Sequence, residues 1–102
     1  MRTVKVAFDV DGTLRCNCTE TCEDPNQRIV DLFKILASFK NVELFVWSCG
    51  GARYAERFAD KFGLNVAASH CLSKFGALAM DLCIDDIQDT DLATINLIVR
   101  EK

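Results

Sequence analysis

Five short runs of apolar and β-branched residues recur along the chain and are separated by polar segments. Runs of this length, bounded by polar residues or glycines, are typical of strands in a buried sheet. The pattern predicts strands over Val4–Phe8, Val42–Trp47, Leu64–Ala68, Leu82–Ile84 and Ile95–Val99. The first run contains one polar residue, Lys5, and is typical of a strand at the centre of a sheet.

The segment between the first two runs has the spacing of a helix. The residues that share one helical face are Ile29, Leu32, Phe33 and Leu36. Asp24-Pro25 is a helix start, because aspartate caps an N-terminus and proline suits the first helical position. Gln27 stands where a capping box places its second residue. The helix is predicted to end near Lys40-Asn41.

A second helix is predicted after the break at Ser48–Gly51. One face of this helix carries Ala55, Phe58, Ala59 and Phe62. Gly63 is its predicted C-cap, and a short third helix is predicted over Lys74–Met80 with Ser73 as its cap. Strands that alternate with helices indicate an α/β fold with a parallel sheet. The length of 102 residues indicates one domain, residues 1–102.

Charge and composition narrow the classes of function. Half of the residues are hydrophobic, the formal net charge is −3, and the sequence has no basic stripe. This balance argues against non-specific binding to DNA or RNA but still allows a nucleic-acid end as a substrate. No apolar run has the length that crosses a membrane, and the sequence begins without a secretory signal. We therefore expect a cytoplasmic protein with no membrane partner, whose six cysteines are reduced or bind metal.

Reactive side chains follow three of the predicted strands. Asp9 and Asp11 follow the first strand, Ser48 follows the second, and Asp85 and Asp86 follow the fourth. In parallel sheets, ligands bind beyond the carboxyl ends of the strands. These side chains are therefore expected to meet at one edge of the sheet and to form an active site.

The residue types at this edge suit phosphoryl transfer. Clustered carboxylates repel one another, and an oxygen-only set of ligands suits Mg²⁺ better than zinc. One carboxylate can attack phosphorus to form an aspartyl-phosphate, and a second can protonate the leaving oxygen and then activate water. A serine hydroxyl with nearby backbone amides can hold the phosphoryl oxygens, and Lys74 can balance their charge.

These motifs also carry a resemblance to a known family. The sequence Asp9-Val10-Asp11-Gly12-Thr13-Leu14, then Ser48, then Lys74, then Ile84-Asp85-Asp86, resembles the four ordered motifs of the haloacid dehalogenase (HAD) superfamily. The carboxylate at position 11 makes the first motif resemble that of the phosphatase branch, since the dehalogenase branch has no general acid at this position. The resemblance extends from residue 4 to about residue 99.

The resemblance implies roles for individual residues. Asp9 would be the nucleophile and a metal ligand. Asp11 would be the general acid/base and would bind the metal through its carbonyl. Asp86, with Asp85 beside it, would complete a site for Mg²⁺, and Asp86 is expected to be the direct ligand.

The resemblance also implies the residues that hold the phosphoryl group. Thr13 would brace the turn of the first motif and would belong to the phosphate-binding residues. Ser48, Cys49 beside it, and Lys74 would bind the phosphoryl group itself.

The fold implied by the resemblance is a Rossmann-like three-layer fold with a five-stranded parallel sheet in the order 5-4-1-2-3. Residues 15–24 and 69–73 are too few to form the cap domain that the family usually carries, so a capless member is expected. An open site suits larger substrates such as nucleic-acid ends, whereas the acidic balance favours small molecules. The phosphorylated partner is therefore a small molecule or a nucleic-acid end, and the oligomeric state stays open.

Three cysteines lie close together in the loop that follows the first motif. Cys16, Cys18 and Cys22 need a fourth ligand to form a closed zinc site, and His70 or Cys71 would supply it only if the loops meet. Free thiols are the preferred interpretation of this loop.

Four further residues have ordinary structural interpretations beside functional ones. Arg53 either reaches a phosphate or is solvated on its helix, and Arg15 is near enough to the first motif to line the entrance. Cys83 is interpreted as a small core residue, and His70 as a residue of a loop.

Three hypotheses of function follow. The leading one is a Mg²⁺-dependent phosphomonoester hydrolase. The second is a catalytically weak or inactive phosphate- or partner-binding module, because the chain is small and lacks a cap. The third is an interaction protein stapled by zinc, which would retain about one zinc ion per chain on purification.

Overall fold

The computed structural model describes residues 2–16, 19, 21–74, 79–86 and 92–100. Strands and helices alternate in its first half, as the hydrophobic pattern predicts. The elements are β1 (Val4–Asp9), α1 (Gln27–Leu36), β2 (Val42–Ser48), α2 (Ala52–Lys61), β3 (Cys71–Ser73), β4 (Met80–Asp85) and β5 (Ala93–Ile98). A 3₁₀ turn, Ala68–His70, precedes β3. Within the described residues, no helix has the length and apolar character needed to cross a membrane.

The five strands form one parallel sheet in the order β3-β2-β1-β4-β5. This is the predicted order 5-4-1-2-3 read from the opposite edge, so the prediction is confirmed. Strand β1 is central: Val6 pairs with Leu44 of β2 on one side and with Leu82 of β4 on the other. Because β1 is paired along both edges and packed on both faces, the middle of this strand is fully buried.

Alternate residues of the strands supply two separate apolar clusters. Val6 and Phe8 point to the face that α1 and α2 cover, where Phe33 and Phe58 pack against them. The opposite face is built around Ala7, Phe45, Trp47, Met80 and Cys83. The side-chain period of two therefore places a core on each side of the sheet. Cys83 is a buried core residue, as predicted.

The predicted third strand, Leu64–Ala68, is wrong, because its first residue completes the end of α2. Gly63 has a φ of 68°, a left-handed conformation that glycine adopts without strain. The N–H of Leu64 then donates to the carbonyl of Ala59, and the N–H of Gly63 donates to that of Asp60. These two bonds form a Schellman motif, in which Leu64 packs back on the helix as the buried residue beyond the cap. The predicted C-cap at Gly63 is wrong by one residue, because Phe62 is the C-cap and Gly63 is the glycine that follows it. The strand forms later, at Cys71–Ser73.

The first helix begins later and ends earlier than predicted. The backbone of Asp24-Pro25 is engaged elsewhere: the carbonyl of Asp24 accepts from the N–H of Cys16, and Pro25 forms a bridge with Arg15. Asn26 is therefore the N-cap, and α1 runs only from Gln27 to Leu36.

Other strand ends differ from the predictions by one or two residues. Strand β2 includes Ser48, β4 begins at Met80, and β5 runs from Ala93 to Ile98. Met80 is thus not the last residue of a helix over Lys74–Met80, and residues 75–78 of that predicted helix lie outside the described residues.

Candidate active site

The carboxyl ends of the strands bring the predicted site residues to one edge of the sheet. Asp9 is the last residue of β1, Ser48 is the last of β2, and Asp85 is the last of β4. Lys74 follows directly after β3, whose final residue pairs with Ser48. The backbone N–H of Lys74 donates to the carbonyl of Ser48 at 3.1 Å, which ties the chain after β3 to the same edge.

Three of the predicted metal ligands converge. Asp9, Asp85 and Asp86 each place a carboxylate oxygen within 4.8 Å of the others. In the described part of the chain, no other group of histidine, cysteine or carboxylate side chains is close enough to share a metal ion. Asp9 and Asp85 are buried, and Asp86 is partly exposed. We name these three residues the carboxylate cluster.

Lys74 is paired with the two buried members of the carboxylate cluster. Its Nζ lies 2.7 Å from Oδ1 of Asp9 and 2.6 Å from Oδ2 of Asp85. The side chain of Lys74 is only 4% exposed and that of Asp9 only 5%. Burial disfavours the charge on Lys74, but the hydrogen bonds to Asp85 and Asp9 outweigh it and raise the pKa of Lys74 above its ordinary value.

One ammonium does not neutralise three carboxylates. Burial raises the pKa of Asp9 to about 8, although the hydrogen bond from Lys74 opposes the rise and the charge of Asp85 adds to it. Burial also raises the pKa of Asp86. The carboxylate cluster therefore holds a proton near neutral pH, unless a cation takes the place of that proton. Its donors are all oxygens, a set that fits Mg²⁺ and fits zinc poorly.

The turn after β1 leaves room for the carboxylate cluster only because it contains glycine. Gly12 has a φ of 77°, and a Cβ atom at this position would lie 2.1 Å from Oδ2 of Asp86. Thr13 is fully buried beside it, and its hydroxyl donates to Oδ2 of Asp9 at 3.3 Å. Gly12 thus admits one carboxylate, while Thr13 orients another.

Ser48 begins a tight turn that leads into α2. Its Oγ accepts from the N–H of Gly50 at 3.0 Å, and its carbonyl accepts from the N–H of Gly51 at 3.2 Å. Ser48 is buried, whereas Cys49 and Arg53 are exposed. The N-terminus of α2 therefore lies at the same edge as the carboxylate cluster, and the unpaired N–H groups of a helix start attract anions.

Asp11 lies apart from the carboxylate cluster. Its Oδ1 accepts from the hydroxyl of Tyr54 at 2.6 Å and from Nε of Arg15 at 2.9 Å. The side chain of Asp11 is 53% exposed, unlike the buried side chains of Asp9 and Asp85. Tyr54 was not foreseen from the sequence, because a tyrosine in the first turn of a helix is usually just a partly buried packing residue.

The histidine and the cysteines do not form a zinc site in the described part of the chain. Nε2 of His70 lies 3.3 Å from Glu43, near the start of β2 and away from the carboxylate cluster. Cys16, Cys22 and Cys71 are free thiols. Neither His70 nor Cys71 lies close enough to Cys16 and Cys22 to share a metal ion with them. Cys18, the remaining predicted ligand, lies outside the described residues.

Comparisons with family models, with curated proteins and with solved structures found no match to this chain. What the site can do therefore follows from its own residues, charges and distances.

Proposed function

We propose that this protein is a Mg²⁺-dependent phosphomonoester hydrolase that acts through an aspartyl-phosphate on Asp9. The observation that carries the proposal is the buried contact of Asp9 with Lys74 inside the carboxylate cluster. Removing carboxylates and an ammonium from water costs several kcal/mol per charge. An arrangement of this cost at the carboxyl ends of parallel strands is typical of a reactive centre.

The proposal includes membership of the HAD phosphatases, which the motifs resemble. It also includes the Rossmann-like three-layer arrangement and the absence of a cap domain. We further propose that the protein acts in the cytoplasm, the compartment that keeps thiols reduced.

Asp9, Asp85 and Asp86 would hold the metal ion, and Asp11 would contribute its backbone carbonyl. Bound there, Mg²⁺ would neutralise negative charge and orient the phosphate dianion. The fit rests on the oxygen-only donors of the carboxylate cluster and on the space that Gly12 leaves for Asp86.

The side chains of the protein then divide the two chemical steps between them. A carboxylate oxygen of Asp9 attacks phosphorus and forms the aspartyl-phosphate, while the bond from phosphorus to the leaving oxygen breaks. Asp11 gives its proton to that oxygen and then takes one from the water that attacks the intermediate. Phosphate leaves, and Asp9 is free again.

The phosphoryl oxygens would be bound on the side of β2 and β3. Lys74 offers a positive charge, Ser48 a hydroxyl, and the start of α2 its N–H groups. Thr13 keeps the Asp9 carboxylate oriented through its hydrogen bond. Because phosphoryl transfer depends mainly on positioning and on charge neutralisation, this set is chemically sufficient. The substrate would be the phosphomonoester of a small molecule or of a nucleic-acid end.

The test is release of phosphate from 4-nitrophenyl phosphate with Mg²⁺ and with EDTA. Asp9→Asn should abolish turnover, because the amide cannot form the intermediate. The variant should still be folded, with a cooperative unfolding transition in urea. Asp31→Asn is the matched control: it makes the same change on the exposed face of α1, where Asp31 accepts a hydrogen bond from Gln27. Turnover by Asp9→Asn equal to that of the wild type would exclude the mechanism. Mg²⁺ binding without phosphate release from any ester would favour the binding module instead.

A further inference from the structure

Two donors fix the side chain of Asp11, and neither belongs to the carboxylate cluster. Both the Tyr54 hydroxyl and the Arg15 guanidinium bond to the same oxygen, Oδ1. In the described part of the chain, Oδ2 of Asp11 is therefore the oxygen left to carry a proton to or from a substrate.

The depths of the two catalytic aspartates define where the leaving group lies. The side chain of Asp9 is only 5% exposed, whereas that of Asp11 is about half exposed. Attack on phosphorus is in line, so the leaving oxygen lies on the side opposite to Asp9. In the proposed mechanism, Asp11, the more exposed of the two aspartates, meets the leaving oxygen on that side.

The donor from α2 is itself held in place. The ring of Tyr54 packs against Phe58 with centroids 5.0 Å apart. Gly50 is also close to the ring, because a Cβ atom there would lie only 3.1 Å from Cγ of the tyrosine. The phenol therefore connects the phosphate-binding turn to Asp11 through a ring with little freedom to move.

The second donor is anchored as well. The side chain of Arg15 is 10% exposed, and its NH1 donates to the carbonyl of Cys22. With both donors fixed, the carboxyl group of Asp11 has one preferred position, although it stands in a half-exposed environment. A carboxylate left to itself at such a place would sample several rotamers.

We infer that Tyr54 is a positioning residue that orients Asp11 towards the leaving oxygen, and that the site thereby acts on phosphate esters of alcohols. The inference rests on the proposed function. As the bond from phosphorus to the ester oxygen breaks, the proton on Oδ2 of Asp11 moves to that oxygen and an alcohol leaves. An alkoxide is a poor leaving group and needs this proton, whereas 4-nitrophenolate leaves without one.

The experiment compares Tyr54→Phe with the wild type on two esters, glycerol phosphate and 4-nitrophenyl phosphate. Phenylalanine keeps the ring beside Gly50 and Phe58 and removes only the hydrogen bond. We expect kcat/KM for glycerol phosphate to fall about tenfold, the loss that one hydrogen bond to a charged group can cause. The value for 4-nitrophenyl phosphate should change less than about twofold, because protonation contributes little there.

Two further variants complete the comparison. Arg57→Gln removes another contact of α2, the ion pair of Arg57 with Glu23, and should change both esters equally little. Asp11→Asn should show the same selective loss as Tyr54→Phe, but larger, since it removes the acid itself.

The outcomes separate the inference from the proposed function. A selective loss on glycerol phosphate supports the role of Tyr54. An equal loss on both esters means that Tyr54 is only structural, and no loss on either means that it does not position Asp11; both results overturn the inference. If the wild type hydrolyses neither ester, the proposed function itself falls and the inference falls with it.

Discussion

Replacing Lys74 with methionine removes the ammonium that is paired with the carboxylate cluster while keeping a side chain of similar length. Nζ of Lys74 contacts Asp9 at 2.7 Å and Asp85 at 2.6 Å, and all three groups are almost completely buried. At pH 9, above the pKa of about 8 of Asp9, Lys74→Met therefore leaves two carboxylates facing each other without a counter-charge. In the metal-free protein, we expect this change to lower the free energy of unfolding strongly.

The magnitude follows from the contact distances. At an effective dielectric constant of about 20, each contact is worth about 6 kcal/mol of Coulomb energy. Burying the ammonium costs much of this gain, and removing one partner of a buried ion pair typically destabilises by about 3–5 kcal/mol. Because a small domain is stable by only about 5–15 kcal/mol, Lys74→Met should remove a large share of the total.

The assay is equilibrium unfolding in urea with EDTA at pH 9, where Asp9 is ionised, followed by the fluorescence of Trp47. Trp47 is the only tryptophan and is 1% exposed in the folded protein, so its emission reports unfolding directly. The matched control is Lys61→Met, which breaks an exposed ion pair with Glu23 and should hardly move the midpoint. Adding Asp85→Asn to Lys74→Met should restore part of the stability, because one of the facing charges is gone. A loss below about 1 kcal/mol, or one no larger than that of Lys61→Met, would refute the reasoning.

Two predictions concern the metal ion. Gly12→Ala places a Cβ atom 2.1 Å from Oδ2 of Asp86 and should abolish Mg²⁺ binding in calorimetric titrations. Gly63→Ala, also at positive φ but with no atom within 4 Å of the new Cβ, should leave Mg²⁺ affinity unchanged, and equal affinity in both variants would contradict the assignment. Burial raises the pKa of Asp9 to about 8 from 3.8, so the metal-free folded protein binds a proton that the unfolded chain has lost between these values. The Asp9 contribution to stability therefore falls as the pH rises towards 8. Because Mg²⁺ must displace the proton below pH 8, the Mg²⁺-induced rise in Tm should be larger at pH 9 than at pH 6. An equal rise at both pH values would show that Asp9 is not protonated.

The sheet was largely predictable, because its inner strands leave a strong mark on the sequence. Strands β1 and β2 are buried on both faces and therefore read as continuous apolar runs. Strand β3 leaves no such mark, since it is a three-residue strand at the edge of the sheet. The apolar residues before it were misleading, because Leu64 packs on the end of a helix instead of in a strand.

The site was predictable where it depends on strand ends, and not where it depends on side-chain direction. Asp9, Ser48 and Asp85 end neighbouring parallel strands, so topology alone brings them together. The turning of Asp11 towards Tyr54 joins residues 43 positions apart and depends on the packing of α2 over the turn. Local sequence patterns contain no signal for a contact of that kind.

The central place of β1 has a consequence for the order in which the molecule assembles. Its partner β2 follows soon in the chain, but β4 is distant: the N–H of Lys5 donates to the side chain of Asp81, 76 positions away. Pairing over such separations closes a long loop before it gains contacts, which slows folding. Until β4 arrives, Asp9 stands at an open sheet edge without Asp85 and Asp86 beside it. The carboxylate cluster is therefore assembled only in the step that pairs β4 with β1, and a chain that stalls before that step carries an exposed strand edge and an incomplete cluster.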